Sequence, residues 1–114
     1  MITIYEKSTC SKCRLAKQIL NDAGVEYKDV LYYETPISKE KLSELLKKLG
    51  MTAREFIRKG EAVYKELNLG DESVTEEALI NAMVANPDLI ERPIVEKGER
   101  AVIGRPPENI KELL

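Results

Sequence analysis

The sequence predicts an α/β fold in which a mixed four-stranded sheet is interrupted midway by a helical block. Short apolar runs of strand type stand near the two ends of the 114-residue chain, and the stretch between them carries apolar residues at helical spacing. The first two strand-like runs are separated by a helix-length segment, an arrangement that favours a parallel pair with a right-handed crossover. The expected order is β-α-β, helices, then β-β-α. One domain over 1–114 follows, with the helical insertion at about 38–87.

Each element has its own local reason. Ile2 to Tyr5 is a β-type run that breaks at Lys7-Ser8-Thr9-Cys10. Leu15, Ala16, Ile19, Leu20 and Ala23 then recur at helical spacing, and Gly24 can end that helix in a left-handed conformation. Tyr27 to Leu31 reads as the second strand. In the middle, Leu42, Leu45, Leu46 and Leu49 form an apolar stripe closed by Gly50. Thr52 with Glu55 fits a capping box opening a short helix through Phe56 and Ile57. Thr75 can cap a further helix, with Glu76 and Glu77 facing its positive end. Leu79, Ile80, Met83 and Val84 supply its buried face, and Pro87 stops it. Near the end, Ile94-Val95-Glu96 and Ala101-Val102-Ile103 flank Lys97-Gly98-Glu99-Arg100 and read as a hairpin. Ile110, Leu113 and Leu114 suit a closing helix. This is the order of a thioredoxin-like fold with a helical insertion between its halves.

Composition narrows the function. A hydrophobic fraction of 43% suffices for a core without a metal or disulfide scaffold. With 18 basic against 20 acidic residues and a net charge of -2, there is no general attraction for nucleic acid or anionic membrane. No apolar run approaches the roughly 18 residues that span a bilayer, and Met1 to Tyr5 lacks the basic flank of a signal peptide. A cytoplasmic location is expected, where thiols stay reduced. The expectation for assembly is a monomer.

The chemistry concentrates in Cys10-Ser11-Lys12-Cys13-Arg14, where a strand ends and a helix begins. Unpaired amides and the helix dipole stabilise a thiolate there, with Lys12 and Arg14 adding positive charge. The same amides cradle an anion. Cys10 is then the candidate nucleophile. Cys13, one turn on, can resolve an oxidised or adducted Cys10; it could also simply pack inside the helix. A zinc site is disfavoured, because the chain has no His and no second CxxC.

These motifs resemble the glutaredoxin-dependent arsenate reductases, and among them the short bacterial arsenate-reductase-like proteins. The resemblance runs through Ile2-Thr3-Ile4-Tyr5, Cys10-Ser11-Lys12 with Arg14, and Leu31-Tyr32-Tyr33-Glu34-Thr35-Pro36. It continues in Tyr64-Lys65-Glu66-Leu67-Asn68-Leu69, Glu91-Arg92-Pro93-Ile94-Val95 and Ile103-Gly104-Arg105-Pro106-Pro107. It implies an oxyanion site of Arg58, Arg92 and Arg105 around Cys10, joined by Ser11, Lys12 and Arg14, and a cis Pro93 facing the cysteine. It implies arsenate or a similar oxyanion as substrate, no bound cofactor, and glutathione with glutaredoxin, or thioredoxin, as reductant. Guanidinium forks suit an anion of roughly one to two negative charges.

Two departures from the family pattern keep other readings open. Glu6-Lys7-Ser8 stands where many members have His-Asn-Pro, and a Glu there opposes thiol ionisation while Lys7 offsets it. Cys13 stands where the arsenate reductases commonly carry Ser. A general thiol-disulfide oxidoreductase is therefore the first alternative. The second is a CxxC redox-sensing regulator that binds RNA polymerase, although such regulators lack the arginine at Arg105.

Overall fold

The computed structural model describes Met1–Leu114. The chain divides into two units, one formed by Met1–Thr35 with Arg92–Leu114, the other by Pro36–Glu91. The first holds a four-stranded sheet: β1 (Ile2–Glu6), β2 (Tyr27–Leu31), β3 (Ile94–Lys97) and β4 (Arg100–Ile103). Its order is β2-β1-β3-β4, with β1 and β2 parallel and the other pairs antiparallel. The mixed sheet is the one expected. Helix α1 (Ser11–Asp22) makes the crossover from β1 to β2, and Gly24 (φ 70°) turns the chain back toward the sheet.

The alternation along β1 aims Ile2 and Ile4 at α1, where they pack with Ala16, Leu20, Val95, Ile110 and Leu113. Truncating Leu20 in such a core costs about 2–5 kcal/mol. The buried stripe of α1 is Cys13, Ala16 and Leu20; Ala16 and Leu20 are the residues the periodicity marked, and Ile19 is half-buried against the same core. Leu15 and Ala23 are exposed, and Cys13 takes the inward place at the start of the stripe. On the opposite face of β1 the Tyr5 hydroxyl donates to Glu96 Oε1 at 2.9 Å.

The closing segment Pro107–Leu113 is a 3-10 helix, where sequence periodicity suggested an ordinary helix. Pro107, Ile110 and Leu113 are its buried residues, and their spacing of three puts them on one face at three residues per turn. Leu114 falls off that stripe and is exposed.

The second unit is helical: α2 (Lys39–Leu49), α3 (Ala53–Phe56), α4 (Ala62–Glu66) and α5 (Glu76–Ala85), then a 3-10 turn at Pro87–Leu89. The expected end signals operate. Gly50 closes α2 at φ 69°, Thr52 and Glu55 form a capping box, and the Thr75 hydroxyl accepts from the Ala78 amide. Ile57 lies beyond α3 in extended backbone, though it is buried as the pattern required. Leu49 and Val84 are only half-buried, at the edges of their stripes. Arg54 ties the loop after α4 in place, donating to the carbonyls of Leu69, Asp71 and Val74.

Candidate active site

The site of the sheet unit forms where β1 runs into α1. Cys10 occupies the N-cap position of the helix in extended backbone (φ −86°, ψ 122°), and its amide donates to the Lys7 carbonyl at 3.0 Å. That conformation turns the sulfur toward the first-turn amides. No acidic residue lies in that turn, so nothing competes with an anion for the helix end. Burial alone would push the Cys10 thiol up. Hydrogen bonds from the Cys13 thiol and from the Cys13 and Lys12 amides, with the charge of Arg105, outweigh it and hold the thiol below its ordinary value. Both cysteines are free.

Cys13 is the opposite case. It is fully buried, and burial is the main reason its thiol is pushed up to about 12. The Lys7 amide works against that shift, while the neighbouring Cys10 and the charge of Glu6 add to it. At the helix end the thiolate is favoured, and beneath it the second thiol is held protonated.

Arg105 reaches Cys10 from the other end of the chain, and the charge of Arg92 is felt there too. The Arg105 Nη2 lies 3.6 Å from Cys10 Sγ, and its Nε donates to the Arg92 carbonyl at 2.7 Å. Asn109 holds this turn from below, donating to the carbonyls of Ile103 and Arg105. Arg92 hydrogen-bonds the buried Tyr32 hydroxyl. Burial lowers the Arg92 affinity for its proton, but Tyr32, Tyr33 and Cys10 more than reverse this, so it remains a firm cation. Burial likewise pushes the Tyr32 phenol up against the pull of Arg92. The Arg92–Pro93 peptide is cis, as the resemblance implied, and so is Arg105–Pro106. Gly104 donates to the Pro93 carbonyl at 2.8 Å, and a Cβ there would stand 2.8 Å from Pro93 Cγ. Only glycine lets the two turns meet.

A family model described as the ArsC family matches residues 5–113. The chain belongs to the ArsC family. It is 53% identical over 114 residues, 99% of this chain and 96% of the relative, to the uncharacterized protein YfgD of Escherichia coli strain K12. It is 38% identical, over 99% of this chain and 97% of the relative, to a protein of Neisseria meningitidis serogroup A named arsenate reductase. Among solved structures, the arsenate reductase from Vibrio cholerae matches with a TM-score of 0.96 and 42% identity, covering 99% of this chain and 97% of that one. The α/β fold is thus shared with ArsC proteins in both sequence and shape.

The residues singled out from the sequence fall into three groups. Cys10, Cys13, Arg92, Pro93 and Arg105 lie together in the sheet unit. Ser11 and Arg14 are exposed on the first turn of α1, and Arg14 donates its amide to the Cys10 carbonyl at 3.2 Å. Lys12 contributes its amide to Cys10, while its side chain borders a surface groove with Leu15, Ile19 and Pro106. Arg58 belongs to the helical unit, where its amide donates to the Leu89 carbonyl. Its guanidinium lies 3.6 Å from Glu61 and 3.9 Å from Glu91. The ammonium of Lys7 sits over the Tyr33 ring at 4.9 Å, so this residue serves the cysteines through its backbone.

Sequence reasoning missed Tyr32, Gly104, Asn109 and Lys17 as partners that hold these groups, and it weighed Glu6 only by its closeness in sequence to Cys10, not by its inward place on β1. That place had a signal. Ile2, Ile4 and Glu6 alternate on β1, so an acid stands at the third inward position of a buried strand.

Proposed function

We propose that this ArsC-family chain reduces arsenate, or a closely related oxyanion, through the Cys10 thiolate. The observation that carries the reading is Arg105 Nη2 at 3.6 Å from Cys10 Sγ, a guanidinium set beside a thiolate at a helix start. Arg92, kept cationic next to it, adds a second fork, and the Lys12 and Cys13 amides supply donors for an anion. Relatives named arsenate reductase, at 34–38% identity over nearly the whole chain, support the same substrate.

Two steps follow. The thiolate attacks arsenic, an S–As bond forms, and an As–O bond breaks with hydroxide or water leaving. A second thiolate then attacks the Cys10 sulfur. An S–S bond forms, the S–As bond breaks, and its electron pair stays on arsenic, which leaves as arsenite. The two thiols have lost two electrons and arsenic has gained them. In this reading either glutathione or Cys13 supplies the second thiol, and glutaredoxin or thioredoxin reopens the disulfide. Arg58 enters the oxyanion set through its match to the family motif alone.

Arsenate-dependent NADPH oxidation tests the proposal, coupled first to glutathione, glutathione reductase and glutaredoxin, then to thioredoxin and its reductase. Turnover is expected to vanish in Cys10→Ser and to fall by about 10²-fold or more in Arg92→Ala. Turnover that survives Cys10→Ser would sink the mechanism. A second reading, thiol-disulfide exchange, is favoured by the hydrogen bond between the two cysteines. Disulfide reduction through Cys10 with no response to arsenate would establish that one instead.

A further inference from the structure

Glu6 takes no part in the steps above, yet its position demands an account. It is 1% exposed, at the end of β1 and next in sequence to Lys7, whose amide meets Cys13 and whose carbonyl meets Cys10. Its Oε2 forms an ion pair with Lys17 Nζ at 3.1 Å, and neither oxygen is satisfied by a well-formed hydrogen bond. Asp29 on β2 approaches the same ammonium at 3.6 Å. An isolated buried carboxylate is costly, and one with an unoccupied oxygen is costlier still. A site that needed only to be filled would be better served by the apolar residues that precede it on this face of β1.

Cys13 faces inward one turn before Lys17 on α1 and meets the amide of Lys7, the residue after Glu6; it is the group in this cluster that needs a proton acceptor. It is fully buried, so bulk hydroxide reaches it poorly, and only its thiolate can attack a sulfur. We propose that Glu6 takes the proton of the Cys13 thiol when Cys13 attacks an adduct on Cys10. The inference rests on Cys13 acting as the resolving thiol in the proposed function. The S–H bond of Cys13 breaks and its proton passes to the carboxylate. An S–S bond forms to Cys10, the bond from Cys10 to its adduct breaks, and the departing group keeps the electron pair.

Several features suit Glu6 to this task. Burial first, then Asp29, raise its pKa against the pull of Lys17, to about 7. A base poised there is ionised in part at neutral pH and can still hold a proton. Forming an adduct on Cys10 removes the negative charge that holds the proton on Cys13, so the transfer eases when it is needed. The charged and titratable groups around the carboxylate are Lys17 and Cys13 on α1 and Asp29 on β2, with Tyr27 acting on Lys17.

The test needs no arsenate and so stands apart from the question of substrate. Reduced protein mixed with 5,5′-dithiobis(2-nitrobenzoate) should release thionitrobenzoate in two phases. The first forms the mixed disulfide on Cys10, and the second reports attack by Cys13. In Cys13→Ser only the first should remain. In Glu6→Gln the first phase should persist, showing that the site is folded. The second should slow by about 10²-fold at neutral pH and lose its midpoint, rising instead with hydroxide. Lys17→Met should move the wild-type midpoint upward, and Asp29→Asn should move it downward, a pair of opposite shifts that a packing role would not produce. An unchanged second phase in Glu6→Gln, or a midpoint that ignores both neighbours, would overturn the role of Glu6. Release of only one equivalent of thionitrobenzoate by the wild-type protein would overturn the role of Cys13 itself, and with it this inference.

Discussion

Cys10 and Cys13 lie one turn apart on the same helix, and their surroundings drive the two thiols in opposite directions. Around Cys10 the backbone has not yet closed its hydrogen bonds, so free amides and Arg105 face the sulfur of a residue that is 9% exposed. Around Cys13 the helix is complete and the side chain points inward with Ala16 and Leu20 onto the sheet, where Cys10 and the charge of Glu6 both oppose ionisation. Burial opposes ionisation in both regions. Donors outweigh it in the first, and a buried acid reinforces it in the second. Geometry therefore separates the two thiols of the CxxC motif: the helix end favours the thiolate, and the helix interior keeps the second thiol protonated.

The comparison breaks most visibly if the two thiols react alike. Cys10 is held below its ordinary value of 9.0 and Cys13 is pushed up to about 12, so their thiolate fractions at neutral pH differ by about 10³-fold or more. Iodoacetamide followed by peptide mass analysis should label Cys10 almost exclusively. In Cys10→Ser the Cys13 midpoint should drop, because Cys10 contributes to its elevation, yet stay above the ordinary value, because burial contributes most. Labelling of Cys13 first, or of both together, would refute the assignment.

The next effect belongs to the region under the helix. Glu6 has a native pKa near 7 against an ordinary 4.5, so the folded state holds its proton more tightly than the unfolded state does. Stability linked to this group is then greatest at low pH and is lost as pH rises from about 4.5 to about 7, with a total near 3 kcal/mol. Glu6→Gln cannot titrate and should lack this decline. Urea unfolding at about pH 4.5 and about pH 8 should show the variant gaining on the wild type by that amount. An equal stability difference at both pH values would mean that Glu6 titrates alike in both states.

Much of this architecture was legible because local signals agreed with one another. Gly24 and Gly50 stand where positive φ is required, the Thr52–Glu55 box opens a helix, and the inward alternation of Ile2 and Ile4 defines the core face. Helix α4 left no such trace, because none of its residues is buried and no apolar stripe marks it. The closing segment was misread through a default to helical periodicity, although Pro107, Ile110 and Leu113 carry a spacing of three. In the site, Cys10, Arg92 and Arg105 could be named from motifs. The helpers could not, since Tyr32, Asn109 and Lys17 act through contacts that only the folded sheet creates. Glu6 looked like a liability from its sequence neighbour Cys10. It becomes intelligible when the strand turns it inward to the cluster with Lys17 and Cys13.

The smallest expected effect separates the contributors on the Cys10 side. Burial, the Cys13 thiol and the two amides precede Arg105 among the influences on that sulfur, so the guanidinium sharpens a thiolate that the helix already stabilises. Arg105→Ala should raise the Cys10 midpoint only modestly and slow alkylation at neutral pH by a few-fold, roughly 1 kcal/mol or less. Its effect on an oxyanion should be larger, because a bidentate fork contributes to binding what a distant charge does not. Inhibition of Cys10 alkylation by arsenate or phosphate offers the measurement. Protection should weaken far more in Arg105→Ala than the alkylation rate does, and Arg105→Lys should restore the rate better than the protection. Equal losses in both would make Arg105 a thiolate-stabilising charge alone and leave Arg92 with the anion.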